Sequence, residues 1–121
     1  MKRMMMLSKI HRARVTQRDL NYVGSITIDG AMLDETGMLE NEKVAVYNIS
    51  NGNRFSTYII RGEAGSGIIG LNGAAARLVS IEDKVIIINY GLLDDDEART
   101  HKPPIIIVDS NDNRTRYRKK Q

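Results

Sequence analysis

Lys43-Val44-Ala45-Val46-Tyr47-Asn48-Ile49 and Arg54-Phe55-Ser56-Thr57-Tyr58-Ile59-Ile60 stand on either side of Asn51-Gly52. Branched and aromatic side chains suit a pleated strand, and an Asn-Gly pair supplies the positive backbone angles of a tight hairpin turn. The stretch therefore predicts two antiparallel strands. Working outward, Met4 to Thr16, Ile26 to Asp29, Lys84 to Tyr90 and Ile105 to Val108 read as further strands. On the first of these a two-residue period puts Leu7, Lys9, His11, Ala13 and Val15 on one face. Helix is scarce. Ala31 to Thr36 reads as a helical turn closed by Gly37, and Asn72 as the cap of a short helix through Ala74, Ala75 and Ala76. Asp94-Asp95-Asp96-Glu97 reads as another helix start, with carboxylates at the positive end of the dipole, and Pro103-Pro104 stops it. Several short strands with little helix predict a mainly β chain, a small closed barrel with short helices, which leaves no sheet edge exposed.

A chain of 121 residues is one domain, 1–121, able to bury roughly two thirds of its unfolded surface without disulfides; it has no cysteine. Its longest apolar runs, Val85-Ile86-Ile87-Ile88 and Ile105-Ile106-Ile107-Val108, fall far short of the roughly 20 residues of a membrane-spanning helix. At the start, Ser8, Lys9, His11 and Arg12 interrupt the apolar run too early for a secretory leader, so a cytoplasmic protein without membrane partners is expected. The basic balance comes from one end. Arg114, Arg116, Arg118, Lys119 and Lys120 lie in a stretch without acids, and without them the formal charge falls from +3 to −2. Residues 113–121 are accordingly expected to be a mobile basic tail, with a phosphate-binding arm as the competing reading. No phosphate loop, GxGxxG or metal-ligand cluster is found, and no metal is expected.

Taken singly, the polar residues are ambiguous. Gly24-Ser25 is most simply a bend leading into Ile26-Thr27-Ile28, and Gly65-Ser66 is a second such pair in an ordinary turn. Glycine at 24 does, however, let its carbonyl turn toward the Ser25 hydroxyl at little steric cost. Arg54 fits either a surface ion pair or a two-pronged carboxylate anchor. Tyr58, on the same strand face, is either a cross-strand aromatic or a pocket residue, whereas an ideal strand points Thr57 the other way. Lys9 reads as solvated or pocket-lining, and His11 as structural or functional. Ser25, His11 and Asp29 hold the ingredients of a hydrolase triad but lack a nucleophile elbow.

In combination these segments carry more. Met5-Met6-Leu7-Ser8-Lys9-Ile10-His11-Arg12, Val15-Thr16-Gln17 with Tyr22-Val23-Gly24-Ser25-Ile26-Thr27-Ile28-Asp29, Asn51-Gly52-Asn53-Arg54-Phe55-Ser56-Thr57-Tyr58, Gly65-Ser66-Gly67 and Asn72-Gly73-Ala74-Ala75-Ala76 occur in an order and spacing that resemble the pyruvoyl-dependent L-aspartate α-decarboxylases. Tyr47 departs from the tryptophan of several relatives, and the tail after Asp112 is variable. The resemblance implies a double-psi β-barrel, a homotetramer with sites between subunits, and cleavage of Gly24–Ser25, unaided or with a maturation factor. The products are a β chain of residues 1–24 and an α chain of 25–121 in which Ser25 has become a pyruvoyl group. That covalent cofactor would form a Schiff base with L-aspartate during its conversion to β-alanine and CO2 for pantothenate synthesis. The resemblance further implies Tyr58 as proton donor, and Arg54, Thr57, Gly73, Ala74 and Ala75 as substrate-binding residues. Thr57 is also expected to polarise the Gly24 carbonyl. Lys9, His11, Tyr22 and Asn72 are supporting residues. The competing class is a small β-barrel regulator that binds nucleic acid through its basic tail; a third reading is an inactive assembly partner.

Overall fold

The structure, a computed structural model, describes residues 1–22 and 24–120; Val23 of the Gly24-Ser25 motif and Gln121 of the tail lie outside the described residues. The chain is mainly β. Its strands are β1 (Lys2–Arg14), β2 (Gln17–Asp19), β3 (Ser25–Asp29), β4 (Lys43–Asn48), β5 (Arg54–Gly62), β6 (Ile69–Asn72), β7 (Lys84–Asp94), β8 (Ile105–Val108) and β9 (Arg116–Arg118). Two helices, α1 (Gly30–Thr36) and α2 (Asp95–Thr100), and a 3₁₀ turn at Gly73–Leu78 complete it.

The Asn51-Gly52 turn joins β4 to β5 as expected, with Gly52 at φ +80° and Tyr47 opposite Arg54. The strands form one mixed sheet in the order β2-β6-β3-β5-β4-β7-β1-β8-β9. It does not close strand to strand, because β2 and β9 stand at its ends. The chain itself bends the sheet round: β1 and β2 are separated only by Val15 and Thr16. The Val15 N–H bonds the Asp83 carbonyl at 2.8 Å and the Thr16 N–H bonds that of Ile69 at 2.9 Å, so this segment touches chain beside β7 and the start of β6. Ile10, Val15, Ile26, Ile59, Leu71 and Ile87 pack into the single core that results, all fully buried.

Two bulges interrupt β1. Its register against β7 shifts between Met6 and Ser8 and again between Ile10 and Ala13, where Arg12 has φ +65°. The expected shared face of Leu7, Lys9, His11, Ala13 and Val15 is therefore corrected. Ser8 and Ile10 are buried, and after the second bulge Ala13 and Val15 are, while Lys9 and His11 are only half-buried. An extra residue in one strand reverses the alternation, which a uniform period cannot anticipate.

α1 is capped by Asp29 and ends at Gly37 in the left-handed region, φ +80°. α2 opens with the capping box of Asp94 and Glu97. The expected tail is corrected through Arg118. Asn113 is fully buried, accepting the Arg14 N–H and donating to the Arg14 and Gly67 carbonyls, each at 2.8 Å. β9 pairs with β8, and Arg116 is ion-paired with Glu35 on α1. Arg116, the half-buried residue of this strand, needs its charge paired, and the body of the fold supplies the partner.

Candidate active site

β3 begins at Ser25 and lies between two strands. Its antiparallel neighbour β6 sets Asn72 opposite Ser25, and its parallel neighbour β5 sets Ile59 beside Ile26. This register brings Tyr58 and Asn72 to the Gly24–Ser25 peptide. Ser25 is 1 % exposed with φ +118°, a backbone angle outside the usual range of a residue with a Cβ. Such a conformation costs on the order of 1–3 kcal/mol and persists only where surroundings enforce it. The buried Asn72 does so in part, donating from its amide nitrogen to Ser25 Oγ at 3.0 Å and to Thr27 Oγ1 at 3.2 Å. On the other side of the peptide bond, Tyr58 Oη donates to the Gly24 carbonyl oxygen at 3.3 Å.

Gly73 closes the back of the site. At φ +65°, a Cβ there would lie 2.7 Å from Gly24 N, 2.8 Å from Gly24 Cα and 3.0 Å from the Tyr22 carbonyl oxygen. Only a glycine permits this approach, because every obstructing atom is backbone. Asn72 stands before the 3₁₀ turn as expected, but its side chain makes no cap. The expected helix cap is corrected: the amide is spent on Ser25 and Thr27. Ala74 and Ala75 follow in the turn, the first exposed and the second packed against the core.

Among the described residues none of the other sequence candidates hydrogen-bonds Ser25. Thr57 faces the opposite side of β5 from Tyr58 and makes no hydrogen bond to Gly24; it shares a cavity of about 290 Å³ with Lys43, Ser56 and Tyr58. Arg54, four residues from Tyr58, is roughly 13 Å away along the strand, with its guanidinium 4.0 Å over the Tyr47 ring. Lys9 and His11 lie on β1 where it pairs with β8. His11 Nδ1 is buried without a hydrogen-bond partner, and burial, then Lys9, Arg12 and Lys119, push the imidazole below its ordinary pKa. Tyr22 reaches the site through its backbone carbonyl, while its residue is half exposed.

Residues 1–115 match the model of the family described as aspartate decarboxylase. The chain belongs to that family. Among its relatives, the aspartate 1-decarboxylase of Caldicellulosiruptor saccharolyticus is 64 % identical over 104 residues, 86 % of this chain and 81 % of that protein. That of Heliobacterium modesticaldum is 61 % identical over 109 residues, covering 90 % and 83 % of the two chains. The Thermoanaerobacter pseudethanolicus aspartate 1-decarboxylase is 58 % identical over 111 residues, covering 92 % and 95 %.

In this aspartate decarboxylase family member the sequence reading missed Thr27, although its two-residue spacing from Ser25 was available as a sign that both face Asn72. It also missed Tyr90, whose hydroxyl lies 3.2 Å from that of Tyr47. The cross-strand reach of two tyrosines depends on register across β4 and β7, for which one strand's pattern gives no signal.

Proposed function

We propose that this chain is an aspartate 1-decarboxylase that makes its own prosthetic group by cutting itself between Gly24 and Ser25. The observation that carries the proposal is the buried, strained Ser25, with Asn72 on its hydroxyl and Tyr58 on the preceding carbonyl. Attack of Ser25 Oγ on the Gly24 carbonyl carbon moves the acyl group from nitrogen to oxygen and relieves the positive φ. Tyr58 stabilises the negative charge that develops on the Gly24 oxygen, and Asn72 holds Oγ in place. Loss of the Cα proton and departure of the Gly24 carboxylate leave a dehydroalanine at position 25. Water then releases ammonia and leaves a ketone.

The residues present fit such a group. Gly73 leaves room beside the junction that any Cβ would fill, and the surrounding strands already bury Ser25. A pyruvoyl group supplies an acceptor for the electron pair left when a carboxylate departs as CO2, a task no ordinary side chain performs. Tyr58 Oη, adjacent to the junction, is the proton source for the α-carbon, giving β-alanine. Arg54 takes the substrate's other carboxylate through its planar fork. Among the described residues of one chain Arg54, Lys9 and His11 make no hydrogen bond to Ser25, which supports a homotetramer whose sites combine residues of neighbouring subunits. We place the enzyme in the cytoplasm, supplying β-alanine for pantothenate. No helix among the described residues is long and apolar enough to cross a membrane.

Intact mass of the purified protein tests the maturation. The expected species are residues 1–24 and a 25–121 chain lighter by one ammonia than simple hydrolysis gives, resistant to amino-terminal sequencing. CO2 and β-alanine formed from L-aspartate, counted per pyruvoyl group, then test turnover. A chain that stays whole under assembly conditions, with any maturation factor supplied, refutes the self-cleavage; a cleaved chain without β-alanine refutes the activity.

A further inference from the structure

Arg54 combines two features seldom found together on an exposed strand. Its guanidinium lies 4.0 Å over the Tyr47 ring, yet among the described residues no carboxylate or carbonyl bonds it. Five N–H donors are therefore available to a ligand while the plane of the group is supported. The support is itself held. Tyr47 is directly opposite Arg54 on the β4–β5 ladder, and its hydroxyl meets that of Tyr90, on β7, at 3.2 Å. Tyr90 lines a cavity of about 360 Å³ with Met4, Ala45 and Ser56, on the face that carries Arg54. The Tyr90 phenol is kept above its ordinary pKa, first by the bond to Tyr47 and then by burial, with the Arg54 charge opposing, so the hydroxyl keeps its proton at neutral pH.

We propose that Tyr47 and Tyr90 form a clamp that positions Arg54 to recognise a carboxylate: the Tyr47 ring carries the guanidinium, and the Tyr90 hydroxyl fixes the ring. This rests on Arg54 being the anchor for the carboxylate that the substrate retains. Tyr90 is a positioning residue, acting through Tyr47 without touching the substrate. A guanidinium confined to one plane loses less freedom when it forms two parallel bonds, so the clamp acts on substrate affinity rather than on the bond-breaking step. It also favours a dicarboxylate over a monocarboxylate, because only the former keeps a carboxylate for the fork when another occupies the reacting position.

The test is a set of steady-state measurements on fully cleaved protein. Tyr47→Phe and Tyr90→Phe remove the same hydrogen bond from opposite ends. Each is expected to raise KM for L-aspartate about twofold to fourfold, and the double variant no further, since the two changes act on one interaction. Tyr47→Leu removes the ring as well and raises KM about threefold to tenfold, the range of an exposed cation–ring contact together with lost order. Turnover per pyruvoyl stays within twofold in all four. The inhibition constant of succinate rises in step with KM, while that of propionate does not move. Unchanged KM in Tyr47→Leu, additive effects of the two phenylalanine variants, or a fall in kcat instead of a rise in KM would each overturn the clamp. Calorimetric titration of succinate separates this from the activity: if cleaved wild-type protein forms no β-alanine, weaker succinate binding by Tyr47→Leu still upholds the clamp, and equal binding overturns it.

Discussion

Replacing Gly73 by alanine should slow the chain's self-cleavage severely while leaving it folded. Gly73 has φ +65°, and the added Cβ would stand 2.7 Å from Gly24 N and 2.8 Å from Gly24 Cα. Ordinary contact between such atoms begins near about 3.5 Å, so the junction must retreat by roughly 0.8 Å. No side chain can absorb this, because the obstructing atoms are backbone. The left-handed backbone adds a strain of about 1–3 kcal/mol, a fraction of the stability of a domain of this size. Misplacement of reacting groups on the order of 1 Å costs about 10²-fold in rate, and the retreat carries the Gly24 carbonyl away from both Ser25 Oγ and Tyr58 Oη. Cleavage followed by intact mass should therefore slow by roughly 10- to 100-fold. Gly52→Ala is the control: φ is +80° there, but nothing lies within 4 Å of the added Cβ. It should lose similar stability and cleave normally. If Gly73→Ala has the circular dichroism of wild type and cleaves within a factor of two of it, the packing of Gly73 on Gly24 has no part in maturation.

Tyr58→Phe should still cleave, though more slowly, because the developing Gly24 oxyanion loses one donor whose 3.3 Å bond is already longer than a strong hydroxyl bond; turnover per pyruvoyl should fall about 10²- to 10⁴-fold, and near-normal turnover would reject Tyr58 as proton donor. Deletion of Arg114 to Gln121 removes β9 and the Arg116–Glu35 pair, so it should lower the melting temperature measurably, contrary to a free tail. Asn113→Ala should cost about 3 kcal/mol in urea unfolding, since it strips partners from buried backbone groups of Arg14 and Gly67; a loss below about 1 kcal/mol would contradict this. Asp29 offers a pH test: burial raises its pKa, but the N–H groups of Gly65, Gly67 and Ala31 outweigh this and hold it below the usual range. Its contribution is therefore present above about pH 4 and lost as pH falls through the lowered value, so Asp29→Asn should flatten the acid limb of stability against pH; an unchanged slope would exclude Asp29.

The parts of the fold that were legible in the sequence are those where one residue does one local job. Asn51-Gly52 makes its turn, Gly37 takes a positive φ at the end of α1, and Asp94 with Glu97 caps α2. Elements defined by a partner were not legible. β2, β6 and β9 have three or four residues each, too few for a period, and β9 is Arg-Tyr-Arg, a composition that suggests solvent until β8 is beside it. The bulges of β1 belong to the same class, because an extra residue is visible only against the register of β7.

The candidate site divides along the same line. Gly24, Ser25, Tyr58, Asn72 and Gly73 were all read from the chain, but the contacts among them come from two different pairings of β3. Asn72 reaches Ser25 through the antiparallel pairing with β6, and Tyr58 reaches Gly24 through the parallel pairing with β5. The parallel step explains why Tyr58 rather than Thr57 meets the Gly24 carbonyl. With Ile26 beside Ile59, the residue preceding Ile59 is carried toward the junction, and the side-chain alternation of β5 aims Thr57 to the other face. For Thr57 to reach that carbonyl, β5 must gain a bulge between Thr57 and Ile59, as β1 does at Arg12. The ladder with β4 runs unbroken from Lys43–Tyr58 to Tyr47–Arg54, so any such change has to fall at Tyr58 itself. A rearrangement there would move the very hydroxyl that holds Gly24, and the two residues would exchange the carbonyl rather than share it.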